Sequence, residues 1–222
     1  MSSCDWAWST TESSSPNVVK FLERFHHITH WTMDTIFSGT TPTMRAAAMR
    51  KFIKLIQHLH YRNDLQSSYA ILSALQTEPI QRLHKTWKLL SSSKVKTFKY
   101  FRSFYSPKNN YAKLRQHTIE HLWTEDFPTI PYLALYLGDL MNFHRENSRP
   151  KVHKDYRNAL MRTFTTDLIS RLQEESKGNI LAYYSSYKPE VKNYCLSIHF
   201  SKEEQIFLQI HCKKISLKLE PP

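Results

Sequence analysis

Glycine is scarce in this sequence, with 3 among 222 residues. Loops that cradle phosphates are built from glycine, and none of the patterns GxGxxG, GxxxxGK[ST] or GxSxG occurs. That argues against nucleotide-binding and serine-hydrolase readings. Cysteine is as rare: Cys4, Cys195 and Cys212 stand far apart with no CxxC. A sparse, odd count suits free thiols in a reducing compartment, so a cytoplasmic protein is expected. No base or electropositive pocket beside any of the three points to a nucleophile. No apolar run approaches the roughly 18 residues a membrane-spanning helix needs. The opening MSSCDWAWSTTESSS lacks the basic start and apolar stretch of a signal peptide. Acidic residues are short as well: 19 Asp and Glu face 31 Lys and Arg, for a net charge of +12. Such a surface attracts acidic proteins, anionic lipid or nucleic acid.

Histidine is abundant, at 12 residues. His26 and His30 have the i, i+4 spacing that can grip zinc, with His27 beside them and His58 and His60 further on. There is no HExxH and no acidic residue at a useful spacing. Solvated or core-edge histidines are therefore expected, with no metal and no cofactor. Lys85, Lys88, Lys94, Lys96, Lys99 and Arg102 are interleaved with Tyr100, Phe101 and Phe104. A basic and aromatic surface of this kind suits a solvated face, an acidic partner, an anionic membrane or nucleic acid, and no nucleic-acid-binding motif accompanies it.

The hydrophobic content of 41% is ample for a core, and its periodicity is helical. The chain is organised around LQSSYAILSALQTEPIQRLHKTWKLL. Leu65, Tyr69, Leu72 and Leu75 follow helical spacing, then Leu83, Trp87 and Leu90 resume it. Pro79, lacking an N–H, is expected to break the two helices at a fixed corner. Residues 1–16 read as an irregular Ser/Thr-rich tail. A helix is expected from Asn17 to Phe37, and another from Pro42, with Thr41 as its cap, to Tyr61. Asn63-Asp64 breaks the chain before the central stretch. A helix with Phe98, Phe101 and Tyr105 on one side follows, then a turn at Pro107 and Asn109-Asn110. Further helices are expected around Tyr111–Ile119, Tyr132–Phe143 and Lys154–Glu175, with a loop at Ser185–Pro189. Ser201 and Glu204 form a capping box for a last helix. The final ISLKLE alternates like a short strand. The fold class is all-α.

Several separated segments carry a family resemblance. Ser73-Ala74-Leu75 closes one helix, and Arg82-Leu83 with Thr86-Trp87 forms an RLxxTW run. Ser15-Pro16-Asn17-Val18-Val19 with Arg24-Phe25 precedes them. Asn110-Tyr111 with Arg115 forms NYxxxR. Ile130-Pro131-Tyr132-Leu133, Tyr136-Leu137 and Asp139-Leu140 follow in order, and Ile215-Ser216-Leu217 with Leu219-Glu220-Pro221 ends the chain. In order and spacing this resembles the guanine-nucleotide exchange domain for Ras-family GTPases, RasGEF, and its end resembles the Ral-type members. The resemblance covers about Ser15 to Pro221.

The resemblance implies an orthogonal helical bundle with a protruding helical hairpin, spanning residues 17–222 and lacking the family's first helices. It implies a guanine-nucleotide exchange factor in Ras signalling that performs no covalent chemistry. The partner would be a Ras, Ral or Rap GTPase, with Ral favoured. The hairpin would enter between its switch regions and expel GDP. Carried over position by position, Arg45, Gln76, Gln81 and Tyr111 fall where the family touches the switch regions, and Tyr132 falls at the foot of the hairpin. Met141 takes the place of an apolar residue near the magnesium site, and Arg145 lies on the hairpin. The protein is expected to be a cytoplasmic monomer, recruited to membranes through an anionic surface, with nucleic acid not among its partners.

The family pattern is departed from at the hairpin. His144-Arg145-Glu146-Asn147 stands where an acidic residue and Gly-Asn are usual, so Arg145 occupies the acidic place. The segment Ser148–Lys151 is short. Two alternatives stand beside the exchange factor: a degenerate scaffold that binds a GTPase without exchange, and a basic helical protein that binds nucleic acid or a membrane surface.

Overall fold

The computed structural model describes residues 16–121, 129–147 and 189–221. Residues 1–15 of the tail expected over 1–16, and the helix expected over 154–175, lie outside the described residues; Pro16, expected in the tail, is the first residue of a helix. Helix α1 spans Pro16–Phe37, α2 Pro42–Tyr61, α3 Leu65–Gln76, α4 Glu78–Gln81 and α5 His84–Lys88. Helix α6 spans Ser92–Phe104, α7 Ala112–His121, α8 Leu133–Asn147, α9 Pro189–Ser197 and α10 Lys202–Leu219. Among the described residues there is no sheet, only an isolated parallel bridge between Asp64 and Ile130. None of these helices is long and apolar enough to cross a membrane.

Local chemistry starts several of the helices. Thr41 accepts from the Met44 N–H at 3.2 Å with Pro42 at the first position of α2. Asn63 takes φ 56°, a left-handed conformation that Asn tolerates, and turns the chain into α3. Asp64 then caps α3 by accepting from Ser67 N–H at 2.9 Å. Ser201 and Glu204 close the expected capping box on α10.

The core is centred on α3, which packs against α1, α2 and α6. Its Leu65, Ala70, Ile71, Leu72, Ala74 and Leu75 are buried against Met33 and Ile36 of α1 and Met49, Ile53 and Ile56 of α2 in one cluster. Each buried Leu, Ile or Met of this set is worth about 1.5–3 kcal/mol when removed from water.

The corner after α3 breaks earlier than expected. Thr77 is extended, with ψ 143°, and ends α3. Pro79 sits in the first turn of α4, where its missing N–H leaves no hydrogen bond unmade. The indole of Trp87 donates to the Ile80 carbonyl at 2.9 Å and folds α5 back on α4. Helix α5 has no side-chain cap of its own at Leu83. Glu220, at the end of α10, supplies one. Its carboxylate accepts from Lys85 N–H at 2.7 Å, from Thr86 N–H at 3.0 Å and from the Thr86 hydroxyl. It also pairs with Arg45 at 3.0 Å. Burial alone would raise the Glu220 carboxyl, but these donors outweigh it and hold it below the usual range.

The C-terminal part differs from expectation in two ways. Pro189 begins α9 rather than closing a loop. ISLKLE is helical and not a strand, because α10 continues to Leu219. Cys212, Ser216 and Glu220 are buried at helical spacing while Leu217 is 38% exposed. A strand would have put Ile215, Leu217 and Leu219 on one face.

Candidate functional site

One stripe of α3 is polar. Gln66, Tyr69, Ser73 and Gln76 recur at three- and four-residue steps and so share a face. Tyr69 is its centre. Its ring stacks on Tyr105 at 4.8 Å with only 4° between planes, and meets Tyr132 edge-on at 4.7 Å. Phe25 and Tyr111 approach at 5.9 and 6.4 Å. The Tyr105 hydroxyl donates to Ser68 at 2.9 Å. Burial, joined by neighbouring Tyr111, raises the Tyr69 phenol. Burial also raises Tyr105 and pushes Tyr132 up to about 12. All three stay neutral near pH 7, so this platform offers ring faces and hydroxyls rather than charge.

The chain enters the platform through strain. Asn109, Asn110 and Tyr111 have φ of 51°, 54° and 58° in succession. Asn tolerates this region; Tyr pays roughly 1–2 kcal/mol for it. Arg115 holds the turn, donating from Nε to the Asn110 carbonyl at 2.8 Å. The rest of its guanidinium grips Asp139 of α8 in a two-point pair at 2.7 and 2.8 Å.

Helix α8 is therefore anchored at its base. The Leu133 N–H donates to Gln66 Oε1 at 3.1 Å. The Ile130 N–H donates to the Asn63 carbonyl at 2.9 Å, and its own carbonyl accepts from Leu65 N–H at 2.9 Å. Leu135, Leu137 and Leu140 are buried. Past this clamp Met141 is 41% exposed. Arg145 follows by four residues, one turn further along α8.

The RasGEF domain family matches residues 1–174. The chain belongs to the RasGEF family. It is 34% identical over 225 residues to human "Ras-specific guanine nucleotide-releasing factor RalGPS2", covering 100% of this chain and 37% of that protein. It is 33% identical to RalGPS1 of Gallus gallus, again over 100% of this chain and 37% of the relative. "Ras guanine nucleotide exchange factor P" of Dictyostelium discoideum is 31% identical over 173 residues, 78% of this chain and 11% of that protein. The chain thus spans well under half the length of these relatives.

Within this RasGEF domain the expected positions divide. Tyr111 and Tyr132 meet, with ring centroids 6.1 Å apart, on the Tyr69 platform. Gln76 is exposed at the far end of the same α3 stripe. Gln81 is half-buried, and its amide donates to the Leu75 carbonyl at 2.7 Å, closing the end of α3. Arg45 departs from expectation. It is fully buried, and its guanidinium is spent on Gly39 O at 2.9 Å, Thr40 O at 3.2 Å, Thr86 and Glu220. It braces the corner from inside and has no surface to give a partner. The expectation missed Tyr69 and Gln66 and did not join Arg115 to Asp139. The seven-residue step from Tyr69 to Gln76 was the available signal.

Proposed function

We infer that this RasGEF domain accelerates GDP release from a Ras-like small GTPase, and that the GTPase is of the Ral type. The GTPase would rest on the polar stripe of α3, with Gln76, Gln81, Tyr111 and Tyr132 in contact. Helix α8 would be the first limb of a hairpin that enters between the switch regions. Met141 would crowd the magnesium site, with Arg145 one turn beyond. No bond is made or broken. The domain binds the nucleotide-free GTPase better than the loaded one, and only that difference can shift the equilibrium.

The observation that carries this reading is the clamp on α8. Gln66 and Arg115 fix the base of the helix to the tyrosine platform, while Met141 stands exposed past them. A helix that must push into a partner needs that rigid footing. The relatives' designation as Ras-specific guanine nucleotide-releasing factors supports the class of partner. The resemblance of Ile215–Pro221 to Ral-type members supports the choice of Ral. Release of labelled GDP from Ral, Rap and Ras proteins tests it directly.

A second reading is favoured by Arg145. A cation in the acidic place attracts nucleotide phosphates, which works against their expulsion. On this reading the domain binds nucleotide-free GTPase without accelerating release. A pull-down with apo-GTPase beside the release assay separates the two.

A further inference from the structure

The net charge of this chain is not spread evenly. Helices α2, α5 and α6 hold four, two and four Lys or Arg residues and no Asp or Glu. The three pack side by side. Only Arg45 among these cations is turned fully inward. Lys51, Lys54, Lys88, Lys96, Lys99 and Arg102 are all exposed. Two contacts hold the helices in register: Arg50 donates to the Leu89 carbonyl at 3.3 Å, and Lys94 to Gln57 at 3.3 Å. Leu89, at the end of α5, is 47% exposed, and Tyr100 of α6 is 56% exposed at the edge toward α7.

We propose that this face of α2, α5 and α6 is a docking surface for a bilayer rich in anionic phospholipid. Two features select this occupant. The face is lysine-dominated: Arg50 is engaged with Leu89, and Arg102 is the remaining exposed arginine of these helices. Lysines act as hydrated point charges suited to the diffuse potential of a headgroup layer, whereas nucleic-acid surfaces favour the arginine fork. Leu89 and Tyr100 add apolar surface that enters the boundary between headgroups and acyl chains, which a phosphodiester backbone would leave in water. On α2, Lys51, Lys54 and His58 lie about half a turn round from the buried Met49, Ile53 and Ile56. Docking there leaves the tyrosine platform on α3 uncovered. The inference stands apart from the exchange reading, because vesicle binding needs no GTPase.

Co-sedimentation of the full 222-residue chain with vesicles tests it. Vesicles of phosphatidylcholine mixed with phosphatidylserine bind the chain, and phosphatidylcholine alone does not. Raising salt on the unmodified chain abolishes binding, a readout that needs no variant. The combined variant K51E/K54E/K96E/K99E melts as the parent does. It loses binding by about two orders of magnitude or more, each cation being worth about fivefold at an anionic surface. Leu89→Ala and Tyr100→Ala weaken binding by less and leave its salt dependence unchanged. Equal binding to neutral vesicles overturns the proposal. So does indifference to the fourfold charge reversal, or a tighter hold on duplex DNA than on phosphatidylserine vesicles at matched salt.

Discussion

The carboxylate of Glu220 reaches back to cap α5 and to neutralise Arg45. Removing one member of a buried pair leaves the other charge uncompensated, at about 3–5 kcal/mol. Glu220→Ala therefore lowers the melting temperature by roughly 10 °C, read by thermal melts at neutral pH. The pH dependence has a definite sign. The folded-state pKa of Glu220 is depressed, so its stabilisation is complete above the ordinary glutamate value of about 4.3 and disappears as pH falls through the lower folded value. His27 and His30 act in the same direction at higher pH. Burial lowers both, with His199 adding to the effect at His27 and His26 at His30, so their contribution is lost as pH falls below about 6.5. Acid titration of stability thus shows two limbs, and Glu220→Gln shrinks the lower one. An unchanged lower limb in that variant would contradict the assignment. Arg145→Glu restores an acidic group at the hairpin position and raises the rate of GDP release several-fold. A fall in rate would show that Arg145 lies elsewhere in the complex. Arg45 illustrates why resemblance alone misplaced a residue: motif spacing fixes its position in the chain, but its partner Glu220 is 175 residues away.

At the scale of elements, the exchange reading rests on α8. Its pair to Arg115 is roughly 28–29% exposed, so the pair itself contributes little to global stability, about 0–1 kcal/mol. Its value is positional. Asp139→Ala shifts the melting temperature by only about 2–4 °C but cuts GDP release roughly tenfold or more, since misplacement of an acting group is costly. A proportionate loss of both would show that Asp139 is merely structural.

The helices with local start signals were legible in the sequence. Thr41 and the Ser201–Glu204 box carry their own hydrogen-bond acceptors, whereas Asp64, read only as part of a break, proved to be the cap of α3. The break at Thr77 was not legible, because Pro79 is accommodated inside the first turn of a new helix and Trp87 and Glu220 fold the corner from outside it. ISLKLE misled because Ile215, Leu217 and Leu219 satisfy a period of two over a window too short to show the helical set of Cys212, Ser216 and Glu220. The tyrosine platform needed tertiary structure, since Tyr69, the Tyr105–Tyr111 turn and Tyr132 come from three separate parts of the chain.

The whole molecule presents distinct faces. The basic side of α2, α5 and α6 carries much of the net charge of +12, while the α3 stripe and the base of α8 form the neutral platform. On α10, Ile206, Phe207 and Ile210 stand more than half exposed. Among the described residues, this row is the exposed apolar face of α10. The platform and the α8 clamp together support exchange, which is the central claim. Its most direct measurement is release of fluorescent GDP from loaded Ral, Rap and Ras proteins with stoichiometric amounts of this chain and excess free GTP. The expected result is release faster than the intrinsic rate, greatest for Ral, with the GTPase left chemically unchanged. Release at the intrinsic rate from all of them would contradict it.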